Sequence, residues 1–388
     1  MNVFEIIYYK TVFVIPLFLI LTLIINIMLK YFTYGKTIFL SGIFILLYTF
    51  IELYYLGIHN SYEWVTTGDI PILLRLLDEN YLKNDFYTNS ISSSAKVVFY
   101  YIIYIFINIF NINTDSSLFL FKNIQNFLIP FLTFYILIFN IKLNNKIILS
   151  ILISLILIFC LGYLNFISII ANIGIDSFTN WKNLSPQSFS FTFGLFGLLL
   201  LQRNFKLSSG IVFFISSLIH PIVAIIFLST VVIITENNNS KNFFINNLIK
   251  INKLKYFLIF SFIIPAIFIT SFFKISIPEN FIEIYVYERH PHHYLLSSFF
   301  NIFSFMYVLV PLFFYFVARY FNAHNNKILS INIFLFVILC LIAQYLAVEI
   351  FNLEYIILLG PTRLLSVSVF LYIFLFCQTC NSINFNDK

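Results

Sequence analysis

The run Tyr285-Val286-Tyr287-Glu288-Arg289-His290-Pro291-His292-His293-Tyr294 places three histidines, a glutamate and an arginine within six residues. Imidazoles are good zinc ligands. Adjacent His292 and His293, however, cannot both point the same way on a regular element. A second reading gives Arg289 a phosphate, which a planar guanidinium grips well. His290, His292 and His293 then act as hydrogen-bond donors or proton carriers, with Glu288 beside them. A solvated loop without chemistry is the third.

Acidic groups gather in a second stretch, His59-Asn60-Ser61-Tyr62-Glu63-Trp64-Val65-Thr66-Thr67-Gly68-Asp69, followed by residues 70–85. Glu63 and Asp69 head it, and Arg75, Asp78, Glu79, Lys83 and Asp85 follow. From Ile70 the pattern I-P-I-L-L-R-L-L-D predicts an amphipathic helix with Pro71 in its first turn. Asp69 then falls at the N-cap, a structural role. Its other reading is a carboxylate at a lipid–water boundary, serving as general base or cation holder. Asp85 fits a turn or a substrate contact.

Three further positions could do chemistry. Lys182, next to Trp181, could meet a lipid phosphate, and Ser185-Pro186 looks like a helix start. His220-Pro221 interrupts an apolar run, and polar groups inside membranes tend to mark pathways. Arg363 follows Gly360-Pro361-Thr362 in another apolar run. It would snorkel, pair with Glu349 or Glu354, or hold a lipid-linked phosphate bidentately. Cys377 and Cys380 form a C-x-x-C with no second pair or His ligand nearby, so neither metal nor redox chemistry is assigned to them.

The elements that must position these groups follow from composition. The chain has 388 residues, of which 61% are hydrophobic and only 10% charged. A soluble domain carries roughly 25% charged residues. The expected class is an all-α polytopic transmembrane bundle forming one integral membrane domain over residues 1–388. The 52 Phe and 25 Tyr are most simply read as the codon bias of an AT-rich genome.

Runs long enough to cross the hydrocarbon core are 12–29, 37–58, 118–140, 147–165, 256–273, 299–319, 328–349 and 357–377, with a shorter one at 187–202. Two runs are ambiguous, and the excess of Lys and Arg on cytoplasmic loops decides both. Lys30 and Lys36 bracket the first short loop, so it is inside and the N-terminus is outside. Run 97–111 must then lie along the outer surface to keep Lys142 and Lys146 inside. Run 207–235 must turn back at His220-Pro221 to keep Lys241, Lys250, Lys253 and Lys255 inside; a kinked single span is the alternative. Proline, lacking a backbone donor, favours the break.

The expected architecture is thus about nine spans plus a re-entrant hairpin. Residues 59–117 form an outer loop with amphipathic and interfacial helices. Residues 274–298 form an outer His-rich loop, and the C-terminus is cytoplasmic. Among the acids only Glu236 and Asp387 fall inside. The net charge of +6 is a topology signal, and no nucleic-acid partner is expected. Walker A, G-x-G-x-x-G, G-x-S-x-G and H-E-x-x-H patterns are absent from the sequence.

One helix entering an acidic outer loop with surface helices, followed by many spans, resembles the GT-C glycosyltransferases. So does the stretch Gly68-Asp69…Arg75-Leu76-Leu77-Asp78…Asn84-Asp85-Phe86, together with His220-Pro221 and Arg289-His290-Pro291-His292-His293-Tyr294. Related uncharacterised bacterial membrane families share these features. Two helices precede the loop here, where GT-C enzymes usually have one. Asp69 stands between Gly68 and Ile70 rather than in an adjacent acidic pair.

The resemblance implies transfer of a sugar from a polyprenyl-phosphate carrier to an acceptor on the outer face of a bacterial inner membrane. Asp69, with Glu63 as alternate, is implied as the catalytic base or metal contact. Arg289, His290 and His292 would hold the leaving phosphate. His220 and Arg363 would line the donor cavity, with Arg75, Asp85, Lys182, Glu288 and His293 as further contacts. The partners implied are a polyprenyl-phosphate-linked sugar and membrane lipid. No metal site is assigned, and the cofactor stays open, a divalent cation included. The rival class is a non-catalytic transporter or flippase of a lipid-linked saccharide. A surface-polysaccharide polymerase or ligase is a third reading, against which the acidic outer side argues.

Overall fold

The computed structural model describes residues 42–43, 70–85, 97–140, 184–203, 205–223, 282–289, 294–296 and 305–354, with single positions 225, 227, 231, 357, 365, 375 and 379. These residues are mostly helical, and none forms a β-strand. The expected runs 12–29, 147–165 and 256–273 lie outside them, as does nearly all of 37–58 and 357–377.

The first helix, α1 (Ile70–Leu77), forms where the apolar spacing predicts it and buries Ile72 and Leu73. Beyond its end, the Asp78 carboxylate accepts the Asn80 N–H at 2.9 Å. Arg75 reaches forward to donate to the Tyr81 carbonyl at 2.9 Å, which fixes the turn against its parent helix. Helix α2 (Val97–Phe110) is apolar on every side. One side, with Phe99, Tyr100 and Ile103, packs on α1; the other exposes Tyr101, Ile105 and Ile109. All-round apolarity of this kind suits a helix in protein or in lipid.

Asn111 ends α2 with a left-handed φ of 49°, and the Ile112 N–H returns to the Ile107 carbonyl. Asn113 then caps the next helix, its side chain accepting from the Ser116 N–H at 2.7 Å. These caps bring the start of α3 (Thr114–Asn140) four residues ahead of the expected run. The axis turns through 119° between α2 and the Thr114–Gln125 part of α3. The two therefore cannot form one straight crossing.

Helix α4 (Pro186–Gln202) starts at the Ser185-Pro186 signal, where Ser185 and Ser188 form a reciprocal capping box. It packs closely on α5 (Lys206–Ile219). Ser216 donates to the Ser190 carbonyl and Ser209 to the Gly197 carbonyl, both at 2.9 Å. The pairs 190–216 and 197–209 define an antiparallel register that brings His220 level with Pro186. A Cβ on Gly197 would stand 2.8 Å from the Phe213 ring, so only glycine permits this approach.

The chain leaves helical geometry at His220 (φ −154°, ψ 101°) and resumes it at Pro221. Phe213 and Phe227 lie seven residues to either side. On a straight helix they would be about 21 Å apart. Their ring centroids are 6.4 Å apart, and Phe227 also packs on Phe191 of α4 at 5.4 Å. The chain therefore doubles back at His220-Pro221 rather than kinking. The turn is level with the start of α4, not halfway along it.

Helices α6 (Phe305–Tyr320) and α7 (His324–Tyr345) form a second hairpin. Asn322, at φ 53°, makes the turn between them. Helix α7 runs on as a π-helical segment, Leu346–Ile350. Its buried side carries Leu329, Ile333, Val337, Cys340 and Gln344. Leu309, Phe313, Phe316 and Tyr320 on α6, and Ile331, Leu335, Leu339 and Ile342 on α7, point outward. Asn326–Ile350 is long and apolar enough to cross a membrane; α2 with Thr114–Gln125 would count as a second, broken span.

Candidate functional site

Two regions bring the chemistry-bearing segments together. In the first, residues far apart in sequence share one apolar core: Ile72 and Leu73 of α1, Phe99, Tyr100 and Ile103 of α2, Leu118 of α3, Leu184 and Phe189 at the start of α4, and Ile219 at the end of α5. Ile219 directly precedes His220. The His220 turn, the Ser185 cap and α1 therefore meet at one end of the α3–α4–α5 group.

His220 is 4% exposed. Its Nδ1 accepts the Val223 N–H at 3.5 Å, which caps the returning helix. With Nδ1 as acceptor, a neutral ring carries its proton on Nε2, facing away from the cap. His220 thus has a structural task, capping the arm that returns from the turn.

Beneath the apolar core lies a polar tier. Ser188 donates to Gln125 Oε1 of α3 at 3.0 Å, and Ser190 and Ser216 bond across α4 and α5. Lys122, one turn before Gln125, is only 1% exposed. Sequence reasoning passed over Lys122 because it stands inside an apolar run. Its spacing from Gln125, three residues on a helix, was the available signal.

Two candidates on the 70–85 segment have backbone tasks. Arg75 braces the turn through Tyr81, and the Asp85 N–H closes the next turn on the Leu82 carbonyl at 2.9 Å.

The second region surrounds the His-rich segment. Residues 274–298 were expected to be a loop, yet Ile282–Arg289 is π-helical. Ile282 and Val286 face a small core with Tyr294, Val348 and Ile357, while Glu283 and Glu288 are exposed. Two side chains near the end of α7 grip the far side of the segment. Gln344 Nε2 donates to the Tyr294 carbonyl at 2.8 Å. Glu349 Oε1 accepts the Leu296 N–H at 3.0 Å. Residues 290–293 are thus bounded by two anchors, Val286 and Tyr294, on the same helix end. Neither Gln344 nor Glu349 was foreseen in this role; Glu349 stood only as one of two alternative partners for Arg363.

Asp69, Glu63, Lys182, His290, His292, His293 and Arg363 lie outside the described residues, as does the side chain of Arg289. Among the described residues no three His, Cys, Asp or Glu side chains come together as a metal site. No family model matches the chain, and neither does any curated protein or solved structure.

Proposed function

We propose that the chain is a polytopic membrane protein of a bacterial inner membrane that acts as a GT-C-like glycosyltransferase. It takes a sugar from a polyprenyl-phosphate carrier and passes it to an acceptor at the outer face. The observation that carries the reading is the convergence of α1, α2, the start of α4 and the His220 turn in one core. It sets α1, the helix that directly follows Asp69 in sequence, over the end of a helical group that contains a buried lysine and a buried imidazole. The outward apolar stripes of α6 and α7 support placement in lipid, since contiguous apolar surface of this extent is unusual on a soluble protein.

In this reading α3 stands upright and α2, turned 119° from it, lies nearer the membrane plane than the normal. The α5 arm and its return form the re-entrant hairpin, and both termini of that hairpin face the cytoplasm. Asp69 precedes α1 by one residue and takes the proton of the acceptor hydroxyl as it attacks the sugar's anomeric carbon. The bond to the carrier phosphate breaks, and Arg289, His290 and His292 stabilise the departing phosphate. Charge-assisted donors of this kind stabilise developing negative charge.

The test is transfer by purified protein in proteoliposomes that supply a polyprenyl-phosphate sugar and an acceptor. Asp69→Asn is expected to abolish product with expression unchanged. A fully active Asp69→Asn protein would remove Asp69 from the mechanism.

A further inference from the structure

Four non-glycine residues have a left-handed backbone: Leu82 (φ 48°), Asn111, Asn322 and Asn352. Asparagine tolerates this region because its short polar side chain bonds locally; a branched apolar side chain does not. At three of the four positions the chain uses asparagine. At the fourth it uses leucine, and that leucine does not hide in a core: it is 46% exposed. A residue held in a disfavoured conformation persists where its surroundings or its task require it.

The neighbours indicate the task. Tyr81 is also exposed, and Lys83 follows. Arg75 clamps the Tyr81 carbonyl, which fixes the turn at the end of α1 while the side chains of residues 81–83 stay exposed. Tyrosine is enriched at the headgroup level of bilayers and a lysine there reaches its cation to water and phosphate, while Asp78 and Glu79, exposed on the same turn, must face water. The tip belongs to the same two-helix layer whose α2 turns outward Tyr101, Ile105 and Ile109.

We infer that residues 81–83 are a membrane-surface anchor, in which Leu82 enters the acyl boundary of the outer leaflet, Tyr81 lies among the headgroups and Lys83 meets lipid phosphate. The inference rests on the membrane reading above but not on glycosyl transfer. The anchor would hold α1, and with it the acidic stretch before it, at a fixed height over the bilayer.

The experiment uses the full chain in phosphatidylcholine vesicles with some phosphatidylglycerol. Trp64 and Trp181 are replaced by Phe, and one reporter is introduced, Tyr81→Trp. Lipids brominated high on the acyl chain are expected to quench it several-fold more than tail-brominated lipids, and aqueous iodide to quench it little. Leu82→Asn in this background is expected to raise the melting temperature in detergent, by relieving the backbone, while increasing iodide quenching in vesicles.

Iodide access with no bromolipid effect would overturn the anchor. So would a lower melting temperature for Leu82→Asn, which would place Leu82 in a packed contact. A second reporter, Leu335→Trp on the outward face of α7, separates the two claims. Deep bromolipid quenching there with none at position 81 refutes the anchor alone. No quenching at either refutes the membrane reading, and the anchor with it.

Discussion

Gly194 and Phe227 show how much of this structure depends on single side chains. A Cβ at Gly194 would fall 2.1 Å from the Phe227 ring, and that ring is the contact that folds the returning arm onto α4. Gly194→Ala is expected to destabilise the protein by about 1–3 kcal/mol, the range for overpacking a filled core. A detergent melting curve checks the value. The Gly194→Ala/Phe227→Ala pair should cost less than the sum of its single variants, because removing the ring makes room for the methyl. Glu349 is a different kind of residue. Its contact with the Leu296 N–H needs an acceptor oxygen, not a charge. Glu349→Gln should therefore keep the Leu296 amide protected from hydrogen exchange, and Glu349→Ala should expose it. Equal exposure in both variants would mean that the charge itself matters.

At the scale of elements, the decisive feature is the reversal at His220-Pro221. It predicts a side for each flanking loop. Single cysteines at Asn204 and Asn239 should both resist a membrane-impermeant maleimide in intact cells and react after permeabilisation, while one at Asn80 reacts in both. Labelling of positions 204 and 239 on opposite sides would mean one crossing between them.

Proline made this break readable from sequence, as it did the starts of α1 and α4. The spacing I-P-I-L-L-R-L-L made α1 itself readable. The π-helical segment Ile282–Arg289 was not readable. Its first residues alternate apolar and polar, Ile282-Glu283-Ile284, and carry no helical period. Docking of Ile282 and Val286 against Val348 and Ile357 decides its conformation, and those partners are more than sixty residues away. The grip of Gln344 and Glu349 on residues 294 and 296 was hidden for the same reason. Lys122 was hidden because a span is recognised by its average, into which one lysine disappears.

At the scale of the whole molecule, scarce charge and surplus apolar surface have one physical consequence. The α6–α7 hairpin buries one side of each helix and leaves the other apolar and uncovered. The α1–α2 layer closes one end of the α3–α4–α5 group, and Ser185, Ser188, Gln125 and His220 lie buried towards that end. Such an arrangement suits chemistry at a membrane surface on a substrate whose tail stays in lipid. It also suits movement of that substrate across the membrane, and only the product distinguishes the two. The most direct measurement is therefore made on the unaltered protein in proteoliposomes with a radiolabelled polyprenyl-phosphate sugar and an acceptor on the side of residues 59–85. The expected result is a new covalent sugar–acceptor product with release of the carrier phosphate. Label that crosses the membrane with its carrier intact and no product formed would contradict glycosyl transfer and make the protein a transporter.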